Sequence, residues 1–307
     1  MIKNIFLLWL QGWDKAPWLQ KKVLDSWEVN NPTWNINLID QDNIKNYVSD
    51  INYIFDNSKK ITPQAKSDII RLSLLKKYGG VWADSTLLCM QPLDHWSIEA
   101  IMPSGLWMYR GHGAGLNSNL GPASWFIISE KDGDLISRWK NACDNFWKKN
   151  CIVYNYFWMD ELFKELIHKD EKFRSKWIKT PYLYCEKKGS AHTLASYNYT
   201  MYKNSKELKN LLNNYPPYVI KLSSNFKYIF PNLRSRKFKE SNANYAISLS
   251  KRRFIYKHNF ETPISMPSPI KTKSIIVSFL ISIFKRVIVK YFSKFYFKCI
   301  NFINIIF

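Results

Sequence analysis

The sequence predicts an α/β fold, a sheet covered by helices, and three observations support this. Short apolar runs of strand length alternate with longer segments of helical periodicity in the first part of the chain. The chain has 307 residues, of which 46% are apolar and 16% aromatic, enough for a sizeable core. In segment 62–89, an apolar helix with charged residues leads into a short strand that ends in a carboxylate. This arrangement is typical of a ligand site in an open α/β sheet.

The first elements alternate between strand and helix. A buried strand is predicted over Ile5–Leu10, and an amphipathic helix from Pro17 to about Asn30. A second strand over Ile36–Ile39 and a short helix over Ile44–Val48 follow. The order indicates a parallel sheet with helical connections.

Segment 62–89 has the clearest boundaries. Thr62 is a helix cap and Pro63 fits the first turn, where its missing N–H costs nothing. We predict a helix over 63–78, ended by the glycine pair Gly79-Gly80, since glycine adopts the left-handed cap. A strand over 81–83 then carries Asp84 at its C-terminal end.

The second half is less regular. A strand is predicted over Ser124–Ser129, and helices over about 133–148 and 156–168. Residues 186–217 are polar and predict no clear element, whereas Tyr218–Leu222 is a candidate last strand of the core. We divide the chain into a domain at 1–245, a linker at 246–273 and a basic tail at 274–307.

The net charge of +21 is concentrated at the C-terminal end. Residues 1–202 carry 25 Lys or Arg against 21 Asp or Glu, whereas residues 203–307 carry 20 against 3. Residues 274–307 contain no acidic residue, and a polar residue recurs there at every fourth position from Ser274 to Lys298. We expect a basic amphipathic helix at an anionic membrane surface. A helix docked on the domain and a disordered tail are the alternatives, and the aliphatic surface argues against a nucleic-acid arm.

The N-terminal segment and the cysteines indicate the cellular compartment. The apolar run after Met1 is shorter than the apolar region of a signal peptide. The five cysteines include no CxxC pair, so the spacing supports neither a zinc site nor a disulfide framework. We expect a cytoplasmic protein, peripheral on the inner face of the cytoplasmic membrane.

Four segments together resemble the capsular polysaccharide synthesis proteins, relatives of glycosyltransferase family 32. They are LLWLQGWDKAP, SWEVNNPTWNINLID, AKSDIIRLSLLKKYGGVWADST and PLDHW, within residues 1–180. Weaker similarity follows at Tyr156-Phe157-Trp158 and Ile220-Lys221-Leu222. The resemblance implies a GT-A-like, Rossmann-type sheet covered by helices, and a nucleotide-sugar donor.

The resemblance also implies a DXD motif that holds Mg²⁺ or Mn²⁺ against the diphosphate leaving group, with Asp84 as catalytic residue and metal ligand. Here the motif is Asp84-Ser85-Thr86, so its second carboxylate is missing. Thr86 offers a neutral hydroxyl, a poorer ligand for a hard cation, which puts metal dependence in doubt.

By the same resemblance, Asp68 and Arg71 bind the donor sugar and its phosphates. The alternative is an ion pair internal to the helix, which contributes little by itself. Gly80 is expected to let the backbone approach the donor, or else to cap the helix.

The loop after the first strand is implied to hold the base and ribose, through Trp9, Gln11, Gly12 and Trp13. A tryptophan stacks well on a nucleobase. We expect Trp9, placed inside the strand, to be the more buried of the two, and Trp13 to be the better candidate for stacking.

Two further residues are candidates for the site. Asp160 lies where relatives carry polar acceptor-side residues, although a solvated helix face explains it equally well. Lys221 follows a Pro-Pro turn and is a candidate phosphate ligand, with a surface lysine as the alternative.

The sequence therefore predicts a retaining glycosyltransferase that uses a nucleotide sugar and acts on a capsule or lipopolysaccharide-type glycan, or on a lipid-linked acceptor. One alternative is a non-catalytic sugar- or lipid-binding relative that lost its second carboxylate. A basic nucleic-acid-binding protein is a weaker alternative, and no nucleic acid partner is expected.

Overall fold

The computed structural model describes residues 2–261, except 57, 112–120, 154, 187–188 and 195–198. The predicted tail at 274–307 lies outside the described residues, as does the linker beyond residue 261. The division into domain, linker and tail therefore stays a prediction.

The strands are short. They are Asn4–Leu8 (β1), Asn35–Ile39 (β2), Gly80–Ala83 (β3), Leu87–Cys89 (β4), Leu106–Trp107 (β5), Phe126–Ser129 (β6) and Val219–Lys221 (β7). The helices of the described residues are Trp18–Asn30 (α1), Ile44–Tyr47 (α2), Pro63–Tyr78 (α3), Ser97–Ile101 (α4), Asp134–Lys149 (α5), Trp158–Lys169 (α6), Glu171–Lys179 (α7), Tyr199–Tyr202 (α8), Lys206–Asn214 (α9), Phe226–Ile229 (α10), Arg236–Lys239 (α11) and Asn242–Leu249 (α12).

The central sheet is mixed, with strand order β2-β1-β3-β6-β5. Strand β1 is parallel to both β2 and β3, as predicted. However, β6 is antiparallel to β3, and β5 is antiparallel to β6. The parallel pairing predicted from the first elements therefore holds for β1, β2 and β3, and no direction was predicted for β6, because a buried strand has the same apolar pattern in either direction.

Alternate side chains of the strands enter two hydrophobic cores, one on each face of the sheet. Phe6 and Trp82 pack into the core beneath α3, α5, α6 and α7. Ile5 and Val81 pack into the other core, which includes residues of α1, β4, β7 and α12. The central strands β1 and β3 are thus covered on both sides, as in an α/β fold.

Tryptophans fill much of both cores, and eleven of the thirteen are buried. They are Trp13, Trp27, Trp34, Trp82, Trp96, Trp107, Trp125, Trp139, Trp147, Trp158 and Trp177. Core packing is therefore the main use of this residue type here.

A second sheet of two strands pairs β4 with β7 in antiparallel register. The strand predicted at Tyr218–Leu222 is thus present as Val219–Lys221, but it extends this small sheet instead of the central one. Since β4 begins shortly after β3 ends, the two sheets meet at the loop that carries Asp84.

Across the part of the chain that the structure describes, none of the helices has the length and apolar character needed to cross a membrane.

Candidate active site

The helix α3 supplies two charged side chains to a buried cluster. Its start agrees with the prediction, since the Thr62 hydroxyl accepts a hydrogen bond from the amide of Ala65 at 3.2 Å. Arg71 Nη2 lies 3.1 Å from Asp68 Oδ1 and 3.5 Å from Asp84 Oδ1. Only 7% of the Arg71 side chain is exposed. The guanidinium therefore joins a carboxylate of the helix to the carboxylate at the end of β3.

Arg71 is held from three further directions. Nη1 donates to the carbonyl oxygen of Ser124 at 2.6 Å, and Nη2 donates to the Ser67 hydroxyl at 3.2 Å. The guanidinium carbon lies 5.1 Å from the ring centre of Trp82. A planar group fixed on its edges and one face is pre-organised to bind an anion.

Asp84 is surrounded by donors. Its Oδ2 lies 2.7 Å from Lys221 Nζ, and its Oδ1 accepts a hydrogen bond from Trp82 Nε1 at 3.1 Å. Burial alone would raise the pKa of Asp84, but the charges of Lys221 and Arg71 and the two hydrogen bonds hold it below its ordinary value. Asp84 is therefore ionised across the neutral range.

The β4–β7 sheet brings Lys221 to this carboxylate. Lys221 stands opposite Leu87 in the register, and the amide of Leu222 donates to the carbonyl oxygen of Thr86 at 2.9 Å. On its other side, the Lys221 amide donates to the carbonyl oxygen of Ala191 at 2.8 Å. Backbone hydrogen bonds thus fix the lysine beside the Asp-Ser-Thr loop.

Asp160 and Asp68 form a second acidic feature of the cluster. Asp160 lies in the first turn of α6 and is 7% exposed, and its Oδ1 has no hydrogen-bond partner among the described residues. Burial, followed by the charge of Asp68, raises the pKa of Asp160 to about 7, although Ser124, Arg71 and Lys164 oppose the shift. This oxygen is shielded from solvent, so a ligand hydroxyl reaches it only if the surrounding side chains move.

The pKa of Asp68 is also raised, to about 6, chiefly by burial and also by the charge of Asp84. Arg71 opposes this shift, as does Trp158, whose Nε1 donates to Asp68 Oδ2 at 2.9 Å. Trp158 belongs to the first turn of α6, so this helix orients both acidic side chains.

A cleft of about 1190 Å³ opens beside this cluster. Nine of the residues singled out from the sequence line it: Trp9, Gln11, Asp68, Arg71, Asp84, Ser85, Thr86, Asp160 and Lys221. Residues separated by more than 200 positions thus meet at one cavity. These candidates remain predictions as to role.

Gly12, Trp13 and Gly80 do not line the cleft. Trp13 is buried, and its Nε1 donates to the carbonyl oxygen of Ile39 at 3.2 Å. Trp9 is half-buried and lines the cleft. The expectation that Trp9 is the more buried is wrong, because β1 ends at Leu8 and Trp9 already belongs to the loop.

The structure requires glycine at position 80 for the packing of two strands. Its φ is +98°, and a Cβ at this position would lie 2.4 Å from the carbonyl oxygen of Asn4 on β1. The close approach that it allows is therefore between two strands. The helix cap is the neighbouring Gly79, at φ +65°.

Several lining residues were not predicted from the sequence. Trp82 and Trp125 look like ordinary core residues in strand-like segments, yet both line the cleft. Ser124 contributes its backbone carbonyl, which no side-chain pattern reveals. Tyr156 is exposed at the rim, and the weak similarity at Tyr156-Phe157-Trp158 was its one signal.

The expected Mg²⁺ or Mn²⁺ ion can be compared with the donors at Asp84. Both carboxylate oxygens face cationic or N–H groups, and Thr86 adds a neutral hydroxyl in place of a carboxylate. Hard divalent ions take several oxygen ligands, with carboxylates prominent among them. This donor set does not fit such an ion well. Metal binding at Asp84 stays a prediction.

A different group of side chains has metal-ligand spacing. Ligand atoms of Cys185, Glu186 and His192 lie within 4.8 Å of one another, and this is the one such group of three among the described residues. Glu186 and His192 also line the cleft. The trio was not predicted from the sequence, because it lacks the paired cysteines that mark a typical zinc site.

The chain is similar to capsular polysaccharide synthesis proteins and to two curated glycosyltransferases. A family model described as "Capsular polysaccharide synthesis protein" matches residues 1–241. Over 168 residues, the chain is 26% identical to "Glycosyltransferase afumC" of Aspergillus fumigatus (strain CBS 144.89 / FGSC A1163 / CEA10), covering 51% of this chain and 40% of the relative.

Over 163 residues, the chain is 30% identical to "O-glycosyltransferase braB" of Annulohypoxylon truncatum, covering 47% of this chain and 38% of the relative. The chain thus spans about two fifths of the length of these curated relatives. Among solved structures, "PaToxG Glycosyltransferase" aligns with a TM-score of 0.37 at 15% identity, covering 84% of this chain and 88% of that chain.

Proposed function

The chain belongs to the capsular polysaccharide synthesis protein family, and on this premise we propose that it is a nucleotide-sugar-dependent glycosyltransferase, a hexosyltransferase that builds a capsule or lipopolysaccharide-type glycan. One observation supports this most strongly. Two cations and three carboxylates, Arg71, Lys221, Asp68, Asp84 and Asp160, line a single cleft. A nucleotide sugar presents a diphosphate to cations and several hydroxyls to carboxylates.

The donor is proposed to lie along the cleft from the loop after β1 to the start of α6. The base stacks on Trp9, which is half-buried and lines the cleft. The diphosphate lies at Arg71 and Lys221, and the sugar hydroxyls donate to Asp68 and Asp160. Asp160 lines the cleft, and a shift of its side chain would bring its unpaired oxygen to a sugar hydroxyl.

The proposed reaction retains the configuration at the anomeric carbon by front-face displacement. The acceptor hydroxyl oxygen forms a bond to that carbon, and the bond to the phosphate oxygen breaks with its electron pair going to the nucleoside diphosphate. The hydroxyl proton passes to a leaving phosphate oxygen. No protein nucleophile is required, and the cluster stabilises the charge that develops on the phosphate.

The acceptor is proposed to be a glycan or lipid-linked glycan at the inner face of the cytoplasmic membrane. The basic segment 274–307 would hold the enzyme at the anionic surface. Confinement to a surface raises the effective concentration of a lipid-linked acceptor.

The test offers the full-length protein a panel of nucleotide sugars and measures release of the nucleoside diphosphate. We expect turnover with at least one donor, and a loss of about 100-fold for Asp84→Asn, because the variant no longer holds the Lys221 ammonium and the Arg71 guanidinium in place. The control is Asp94→Asn, which removes a carboxylate paired with Lys3 outside the cleft.

Two results would contradict the proposal. One is the absence of turnover with every donor, and the other is an Asp84→Asn variant as active as Asp94→Asn. Donor binding without turnover would favour the non-catalytic sugar-binding alternative, for which the missing second carboxylate at Thr86 is the specific observation.

A further inference from the structure

We propose that Lys221 takes the place of the divalent ion, so that the donor diphosphate binds to Lys221 and Arg71 without a metal. This inference rests on the proposed function and assigns the phosphate-binding role within the same cleft. It is carried by the geometry around Asp84 and by the charge that the motif has lost.

Lys221 balances the charge of the Asp84 motif. A motif with two carboxylates and a divalent cation has a net charge of zero before the donor arrives. Here Asp84 contributes one negative charge, and Lys221 at 2.7 Å contributes one positive charge, with the same sum. A second carboxylate at position 86 would leave a net charge of −1, because a lysine neutralises only one carboxylate. Thr86 is neutral, so the loop and Lys221 are balanced.

Lys221 also has hydrogen-bond donors to offer a ligand. A lysine ammonium has three N–H bonds. One of those on Lys221 is directed to Asp84 Oδ2, and the described residues give Nζ no other acceptor. The side chain is 18% exposed and lines the cleft. Two donors are thus available to phosphate oxygens, and Asp84 holds the ammonium in position.

Backbone hydrogen bonds fix the position of Lys221. Its amide donates to Ala191, and the next amide donates to Thr86, which fixes the strand on both sides of the side chain. A cation held in this way needs little reorganisation to bind an anion. A surface lysine with a flexible backbone would lack this advantage.

The experiment measures binding of UDP and of GDP to the full-length protein by calorimetry, once in EDTA and once in Mn²⁺. For the diphosphate that binds, we expect the wild-type Kd in EDTA to lie within about twofold of the Kd in Mn²⁺. Lys221→Met is expected to weaken binding in EDTA by roughly tenfold or more, because a hydrogen-bonded charge pair with phosphate is lost. Lys221→Arg keeps the charge and should retain most of the affinity.

A charge exchange makes the test specific. In the double variant Lys221→Met, Thr86→Asp, the second carboxylate is restored and the lysine is removed. We expect binding to return in Mn²⁺ but not in EDTA. Lys3→Met is the matched control, since it removes the lysine of an exposed pair with Asp94 outside the cleft, and its Kd should equal that of the wild type.

A thermal melt of each variant checks that it is folded. If Lys221→Met is unstable, it is replaced by Lys221→Gln, whose amide still donates a hydrogen bond to Asp84. Wild-type binding that EDTA abolishes would overturn the inference and leave the proposed function standing. Unchanged binding in Lys221→Met or Lys221→Gln would overturn it as well. If neither diphosphate binds under either condition, the inference fails, and the proposed function is decided separately by the turnover assay with the panel of donors.

Discussion

Asp160 shows what a single buried carboxyl contributes at the scale of one residue. The fold raises its pKa to about 7, and the groups that face it are Asp68, Arg71, Lys164 and Ser124. A carboxyl whose folded pKa exceeds its unfolded value stabilises the protein fully below the unfolded pKa, near 4. That contribution is lost as the pH rises through about 7.

We therefore expect Asp160→Asn to gain stability relative to the wild type as the pH rises. The difference in the free energy of unfolding should grow by about 2 kcal/mol between pH 5 and pH 8, because the amide has no charge to bury. Urea denaturation at several pH values measures it.

The control is Asp170→Asn. The pKa of Asp170 is lowered, chiefly by the backbone hydrogen bond from Phe173, so it titrates below this range and its variant should show a constant difference. A constant offset for Asp160→Asn would contradict the expectation.

Individual site residues were predictable where they belong to a motif with fixed spacing. Asp68, Arg71 and Asp84 line the cleft as the spacing on α3 and β3 suggested. Trp9 and Trp13 were ranked in the wrong order, because their burial depends on whether β1 ends at Leu8 or two residues later. A boundary of that accuracy is beyond a hydrophobic pattern.

At the scale of elements, the close approach of β1 and β3 depends on Gly80. We expect Gly80→Ala to destabilise the fold by at least about 2 kcal/mol, because the methyl group would meet the Asn4 carbonyl at 2.4 Å in a backbone conformation that alanine rarely adopts. Urea denaturation at fixed pH measures the loss.

Gly133→Ala is the matched control for this substitution. Gly133 has φ −54°, and a Cβ there would lie 3.3 Å from its nearest neighbour, the Glu130 carbonyl oxygen. Its cost should be about 1 kcal/mol, because Gly133 is the N-cap of α5, a position where alanine is less favourable than glycine. Equal costs for the two variants would show that the approach of the strands tolerates a methyl group.

Elements with local signals were predicted well, and those without them were missed. Helix α3 spans Pro63–Tyr78 as predicted, since its cap and its terminating glycines lie within the segment itself. Strand β4 has three residues and pairs with β7, which is more than 120 positions away. No signal near Leu87–Cys89 in the sequence predicts that partner. The antiparallel direction of β6 likewise depends on its pairing with β3, which is distant in the sequence.

For the whole molecule, the net charge of +21 predicts attraction to anionic surfaces. We expect the full-length protein to bind vesicles that contain anionic lipid and to be released by salt, because the interaction is screened. Replacing Arg286, Lys290, Lys294 and Lys298 by glutamine should weaken binding by up to about 1,000-fold, at roughly 1 kcal/mol for each of the four charges. Vesicle co-sedimentation measures both effects.

The control replaces four lysines within residues 1–202 that do not line the cleft, namely Lys21, Lys45, Lys148 and Lys172. It removes the same charge from a different part of the chain. Equal loss in the two variants would show that total charge, and not the segment 274–307, determines binding.

Asp84 and Lys221 are synthesised at different times, because they lie far apart in the sequence. On the ribosome, Lys221 emerges 137 positions after the carboxylate that it pairs with, roughly 10 s later at ordinary elongation rates. Until then the nascent chain has one edge of β4 without its partner strand, a surface that invites pairing with other chains. A polypeptide released before β7 therefore has the Asp-Ser-Thr loop without the Lys221 ammonium that pairs with Asp84, and it leaves the edge of β4 open. The Asp84–Lys221 pair forms only once the chain has been synthesised as far as β7.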